Sequence, residues 1–401
     1  MKKNVLIIGN YPPPYGGVPH HIERLSEYLA GNGWNCHVLS GGTTGKQILE
    51  NGVSIYKPTY GRKVRGAIAQ MFNRQFRDWL MDGTLDRDEP GHWRRYLMYA
   101  DVGEEIIRDN NIRLIASYNL ISYGPIGTYL AKKFSNPNII SIFGEVYKYQ
   151  AMAHNAAFFK EVAGGAFRLL SCSDHCGRSV KKAGIENKVQ TVTYGVNVEH
   201  FSPGTDPVVL RARYGICDDR VVLFVGRLGR EMGVDTFLAA AHLLAPKYPH
   251  VRFVVVGQAE DLTDDVVRIC NASKGRCVAV VNAPYSDLPD YYRLATLVVV
   301  PTRGDRTCSS LSAMEAMATR KPVVGFAIGG IPEIIDHERT GLLVGAENLH
   351  ALAASISRLL DDARLCDQLA GAGFAQSQAR FDERLVNIAM ERHFLDALGA
   401  Q

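Results

Sequence analysis

At 401 residues, with 46% hydrophobic and 21% charged residues, the chain has the make-up of an ordinary globular protein with apolar residues for two or three domains. A net charge of +4 is too small to argue for a nucleic-acid partner. No apolar run approaches the ~20 residues that cross a bilayer.

The first ten residues, MKKNVLIIGN, run straight into a strand expected over 5–9, so no signal peptide is expected and the cytoplasm is the default compartment. Tyr11-Pro-Pro-Pro-Tyr-Gly-Gly17 follows, where prolines stiffen the loop and Gly16 and Gly17 let backbone amides approach a ligand. A helix is expected over 18–30, opened by His20 and His21 and closed by Gly31 and Gly33, then a strand over 36–40. This strand-loop-helix-strand unit lacks GxGxxG and has no suitably placed acidic residue after its second strand, which disfavours a dinucleotide dehydrogenase. The histidines suit either a surface or capping role or an acceptor contact.

Residues 60–99 interleave Arg62, Lys63, Arg65, Arg74, Arg77, Arg94 and Arg95 with Met71, Phe72, Phe76, Trp79, Leu80, Trp93 and Tyr96. Such a segment suits peripheral contact with a membrane or an anionic acceptor. It suits better two helices packed on the domain with solvated arginines. Strands resume at 113–117 and 139–143 with a helix between them, and again at 169–173; residues 198–207 form a natural linker. The eight cysteines contain no CxxC pair, and Cys172 and Cys176 read as thiols in or near a core.

The second half opens with a buried strand over 220–225, a Gly/Arg-rich loop carrying Arg227 and Arg230, and a helix. Strands follow at 251–257, 277–281 and 297–300, the last stopped by Pro301. After a polar loop over 302–307, a helix opens near Ser309 or Ser310, whose hydroxyls suit an N-cap. Leu311, Met314 and Ala318 line one face of it, with Glu315 at the edge of the stripe and no basic residue three or four positions away. A carboxylate beside a buried face needs a donor from elsewhere. Ribose hydroxyls could supply it, with a diphosphate on the helix N-terminus; backbone amides near Glu315 would serve equally. An amphipathic helix over 381–398 ends the chain.

Glu315-Ala-Met-Ala, Pro322-Val-Val, Gly329-Gly330 and Glu333 together resemble the signature of the retaining glycosyltransferases of family 4. The resemblance covers nearly the whole chain and is most specific in the second half. It implies an α/β protein of GT-B architecture, two Rossmann-like doubly wound domains facing across a cleft. Residues 1–200 would be the acceptor side and 201–380 the nucleotide-sugar side, with 381–401 a helix returning to the first domain. The implied reaction moves a hexosyl or N-acetylhexosaminyl group from a nucleotide-diphosphate sugar, UDP favoured, to a hydroxyl of a glycan, lipid-linked or small-molecule acceptor. Anomeric configuration would be retained, with no bound metal and no cofactor beyond the donor itself.

Residue by residue, the resemblance implies donor contacts from Gly16, Gly17, Arg227, Asn282, Ser309, Ser310, Leu311 and Glu315. Acceptor-side contacts fall to His20, His21, Tyr118 and Asn119, and the candidate catalytic residues are Glu145 with Asp305 or Thr307. Three departures stand out. Met232 replaces the family's phosphate-binding lysine, which makes Arg230 the candidate substitute. Phe143 replaces a common histidine. The first glutamate of the signature is missing, and its place falls on Thr307 counted back from Glu315, or on Asp305 counted forward from Pro301. These losses motivate one alternative, a GT-B partner or regulatory subunit without activity; a second, a sugar-nucleotide epimerase of the same architecture, is disfavoured by the Glu315-Ala-Met-Ala block. Asp86-Arg87-Asp88 matches a metal-binding pattern of another glycosyltransferase fold but reads as an exposed turn.

Overall fold

The computed structural model describes residues 3–12, 16–41, 45–58, 92–144, 156–182, 184–185, 188–217, 219–304 and 307–400, without the side chains of 92–95 and 156–158. Most of the basic-aromatic segment over 60–99, the Asp86-Arg87-Asp88 turn, Glu145 and Asp305 lie outside the described residues. The chain divides into two compact units, Met1–Thr193 with Val386–Gln401, and Tyr194–Leu385. No helix among the described residues is long and apolar enough to cross a membrane.

In the first unit the elements run β1 (Lys3–Ile8), α1 (Gly17–Gly31), β2 (Trp34–Leu39), β3 (Gly45–Ile48), β4 (Ser54–Lys57), α2 (His92–Asn110), β5 (Leu114–Tyr118) and α3 (Gly124–Phe134). They continue β6 (Asn138–Ile142), α4 (Ala156–Gly164), β7 (Arg168–Ser171), α5 (Asp174–Lys182) and β8 (Val189–Thr191). The strand order is β3-β4-β2-β1-β5-β6-β7-β8, parallel except for the edge pair β3–β4. Helices cover both faces of such a sheet, so its central strands are continuous apolar runs, and Val5 to Ile8 are fully buried. Helix α1 packs through Ile22, Leu25, Ser26 and Leu29, one stripe at helical spacing.

The second unit runs α6 (Val208–Tyr214), β9 (Arg220–Val225), α7 (Val234–Leu244), β10 (Val251–Gly257), α8 (Thr263–Ala272), β11 (Cys277–Val281), α9 (Leu288–Leu294) and β12 (Leu297–Val300). Then come α10 (Leu311–Ala318), β13 (Val323–Phe326), β14 (Leu342–Val344), α11 (Leu349–Asp361) and α12 (Ala363–Gln376). Its sheet is wholly parallel in the order β11-β10-β9-β12-β13-β14. Alternation along each strand builds two cores. Val222, Phe224, Phe253, Val255, Leu297 and Val299 face one. Val221, Leu223, Val254, Val256, Val298 and Val300 face the other.

The closing helix α13 (Glu383–Gly399) begins at the end of the second unit and places Val386 onward in the first. It is anchored there by Glu391, which accepts hydrogen bonds from Trp34 Nε1 (2.8 Å), Tyr28 Oη (3.0 Å) and Lys3 Nζ (3.2 Å). Burial would raise the Glu391 pKa, but these three donors outweigh it and hold the carboxyl below its ordinary value. A turn of π-helix, Ser377–Phe381, precedes α13, which begins two residues after the start expected from the sequence.

Candidate functional site

A doubly wound sheet leaves a crevice where successive crossovers leave in opposite directions, beyond the carboxyl ends of the strands. In the second unit that point lies between β9 and β12, because β9 leads outward to β10 while β12 returns on its other side. The loops that meet there carry Arg227, Arg230, Thr307, Ser309 and Ser310.

Three of these loops are latched together through the backbone. Arg303 N donates to Glu231 O at 2.9 Å, tying the loop after β12 to the loop after β9. Gly233 lies at φ 74°, and a Cβ there would sit 1.9 Å from Pro301 O, so only glycine permits this approach. On the other side Gly330 N donates to Thr307 O at 2.7 Å, and a Cβ on Gly329 would lie 2.2 Å from the same carbonyl. Gly329 of the sequence motif is therefore a packing requirement of this loop. Leu228 fixes the remaining loop: its side chain is fully buried, its N–H donates to Gln258 O at 2.8 Å, and its carbonyl accepts from Leu262 N at 2.9 Å.

Arg227 reaches out from this frame about half-exposed and forms an ion pair with Glu260. Arg230 is exposed on a 3-10 turn, Arg230–Met232, and makes no ion pair among the described residues. Met232 packs partly buried against the core formed by β9, β10 and α7, so this position is given to apolar contact. A second arginine, Arg303, was not singled out by motif spacing. Its guanidinium is held by Asp235 Oδ2 (3.0 Å) and the Thr236 hydroxyl, which makes it a strut for the loop after β12.

The helix start is built as the serines suggest. Ser310 is the N-cap of α10, its Oγ accepting from Ala313 N at 3.3 Å. Ser309 Oγ is buried and has no hydrogen-bond partner among the described residues. Leu311 is half-buried. The expectation of a single apolar stripe needs correction: residues 313–318 are buried all round, because α10 packs on the sheet and also against α9, α12 and the Ser377–Phe381 turn. Glu315 accordingly is buried, 7% exposed, and Tyr292 Oη donates to its Oε2 at 2.7 Å. Neither a backbone amide nor a basic side chain supplies this bond; it comes from α9. Burial, and then the Glu315 carboxylate, push the Tyr292 hydroxyl well above its ordinary range, so it stays a donor.

Asn282, at φ 56°, donates its N–H to Gly257 O at 2.7 Å, and its Oδ1 accepts from Ala259 N at 3.0 Å. Its side chain thus shapes the loop after β10.

The first unit has its own switch point between β1 and β5. Gly16 caps α1 in extended conformation, and among the described residues a Cβ there would meet Pro19 Cδ alone, at 3.7 Å. Gly17 is the first residue of α1. His20 Nδ1 lies 3.1 Å from Glu23 Oε2. The His21 ring lies 5.6 Å from that of Tyr118, and burial lowers its pKa to about 4, which keeps it neutral near pH 7. Tyr118 is 1% exposed and stacks on Phe143 at 6.1 Å, a buried wall; burial raises its pKa. Asn119, at φ 96°, spends Oδ1 on Ile121 N (2.9 Å) and Ser122 N (2.7 Å), a turn-forming role. Tyr123 Oη donates to Asn10 Oδ1 at 2.6 Å, joining the loops after β1 and β5. Neither Tyr123 nor Asn10 belongs to a motif, and only their positions after switch-point strands could have marked them.

Residues 219–362 match the family model described as Glycosyl transferases group 1. The D-inositol 3-phosphate glycosyltransferase 1 of Catenulispora acidiphila is 37% identical over 209 residues, 48% of this chain and 49% of that protein. The alpha-D-kanosaminyltransferase of Streptomyces kanamyceticus is 29% identical over 163 residues, 40% of this chain and 42% of that protein. The chain thus spans about half the length of the curated relatives it matches. Among solved structures, sucrose-phosphate synthase of Thermosynechococcus elongatus superposes with a TM-score of 0.81 at 21% identity, covering 100% of both chains. HepE of Anabaena, solved with UDP and glucose, gives 0.75 at 17% identity over 98% of this chain and 99% of that one. The matched region, the relatives and the doubly wound fold agree with the Glu315-Ala-Met-Ala block: residues 219–362 resemble the group 1 glycosyl transferases, and the chain has the GT-B fold.

Proposed function

We propose that the chain transfers a hexosyl or N-acetylhexosaminyl group from a nucleotide-diphosphate sugar, a UDP-sugar first, to a hydroxyl acceptor with retention at the anomeric carbon. One observation carries this reading: Arg227, the Ser310-capped start of α10 and Glu315 in its second turn all follow β9 and β12, beyond whose carboxyl ends an open parallel sheet binds ligands. Arg227 and the amide-rich helix start would offset the leaving diphosphate, which makes a bound metal unnecessary. Glu315 would accept from ribose hydroxyls. Arg230 is the cation available in place of the missing lysine, since Met232 serves the core. In this reading Asp305 or Thr307 grips the transferred sugar.

In this reading the acceptor attacks the front face, with a donor phosphate oxygen taking the acceptor proton as the new glycosidic bond forms and the nucleoside diphosphate leaves. Relatives named for inositol 3-phosphate and kanosaminyl transfer make a small polyhydroxylated acceptor the first to try. The segment over 60–99 would add peripheral membrane contact if the acceptor is lipid-linked.

The test is nucleoside diphosphate release from UDP-, GDP-, ADP- and dTDP-sugars with polyol acceptors, against Arg227→Ala and Glu315→Ala controls, with product anomers assigned by NMR. Acceptor-dependent release with a retained anomer supports the reading. An inverted product rules out the mechanism, epimerised donor without acceptor favours an epimerase, and no turnover at all favours a partner subunit.

A further inference from the structure

Tyr292 occupies a place where phenylalanine would satisfy packing. It is fully buried on α9, with its ring edge-on to Phe201 at 5.7 Å, inside the core that also holds Val298 and Met314. A phenol in such a core carries a polar group that must be bonded, and here it makes the 2.7 Å bond to Glu315 Oε2. Its neighbour Tyr291 turns the other way and meets Tyr214 Oη at 2.9 Å, so the two hydroxyls of this short helix serve different partners.

The geometry points to Tyr292 as a positioning residue that holds the Glu315 carboxylate in the orientation in which it accepts the ribose hydroxyls of the donor; this deepens the nucleotide-sugar reading and rests on it. An ionised carboxylate has about four acceptor sites, so the bond from Tyr292 orients it while using one of them. A charge-assisted bond to a buried hydroxyl also lowers the cost of keeping the carboxylate ionised at 7% exposure. Because α9 precedes β12 and α10 follows it, Tyr292 links the two helices that flank the switch-point strand. The alignment is therefore set before any ligand arrives, which is where preorganisation adds affinity.

Tyr292→Phe keeps the ring and deletes the hydroxyl. Calorimetric titration of UDP and of 2′,3′-dideoxy-UDP into wild type, Tyr292→Phe, Glu315→Ala and the double variant separates positioning from general structure. The expected result is a loss of about 3–10-fold in UDP affinity for Tyr292→Phe, with dideoxy-UDP affinity kept within about twofold. Adding Tyr292→Phe to Glu315→Ala should cost nothing further. Equal losses for both nucleotides, or additive losses in the double variant, overturn the inference. If Glu315→Ala discriminates the hydroxyls and Tyr292→Phe does not, the inference falls alone. If the wild type binds neither UDP nor GDP, ADP or dTDP, the nucleotide-sugar reading falls and takes the inference with it.

Discussion

The closeness of the loops after β9 and β12 gives a prediction whose size follows from two glycines. Gly233 and Gly215 both have positive φ, 74° and 61°, and both lie in the second unit. They differ in surroundings: a Cβ on Gly233 would sit 1.9 Å from Pro301 O and 2.7 Å from its carbonyl carbon, whereas a Cβ on Gly215 meets nothing within 4 Å among the described residues. Gly215→Ala therefore costs only the left-handed backbone penalty, about 1–2 kcal/mol. Gly233→Ala adds to that an overpacking term of about 1–3 kcal/mol, because the obstacle is backbone and cannot swing aside. For a unit of this size the excess corresponds to a further drop of about 2–12 °C in Tm. Scanning calorimetry of the two full-length variants, read on the transition that Gly215→Ala moves, measures the difference directly. Equal shifts for the two variants would refute the latch between these loops.

Other expectations follow from the same geometry. Glu260→Gln releases Arg227 from an ion pair that is about half-exposed on the arginine side and worth no more than about 1 kcal/mol, so UDP affinity should rise by about two- to fivefold; unchanged or weaker binding argues against an Arg227–diphosphate contact. Asp305→Ala should lower turnover more than nucleotide affinity if the register counted from Pro301 holds. If Thr307→Ala does this and Asp305→Ala does not, the register counted from Glu315 is right. His37 is 8% exposed and its pKa is lowered to about 4, by burial first and then by Lys46. The unfolded chain binds its proton from about pH 6.5 downward and the native chain only near pH 4, so stability falls as pH drops through this window, by up to about 3 kcal/mol. His37→Gln should flatten the fall in Tm between pH 7 and 4.5; an undiminished fall would contradict the burial argument.

Much of this protein was legible because parallel strands buried on both faces announce themselves as apolar runs. Strands β9, β10 and β12, with Val222 to Phe224, Phe253 to Val256 and Leu297 to Val300 at their centres, needed no tertiary information, and Ser310 declared its cap through its hydroxyl. What stayed hidden depends on neighbours distant in sequence. Glu315 was marked as needing a donor, but Tyr292 lies 23 positions away on another helix, and no local spacing connects them. The same holds for Arg227 with Glu260, whereas Asn119 is engaged locally, in a turn it forms at positive φ. Met232 could be read only as a lost cation until its contact with the core supplied a reason for the methionine.

The most direct test of the account is amide hydrogen exchange of the full-length chain with and without UDP. The account requires protection at 226–233, 307–315 and 327–333, the loops and first helical turn that meet at the switch point between β9 and β12. Protection confined to other parts of the chain, or none at saturating UDP, would contradict it.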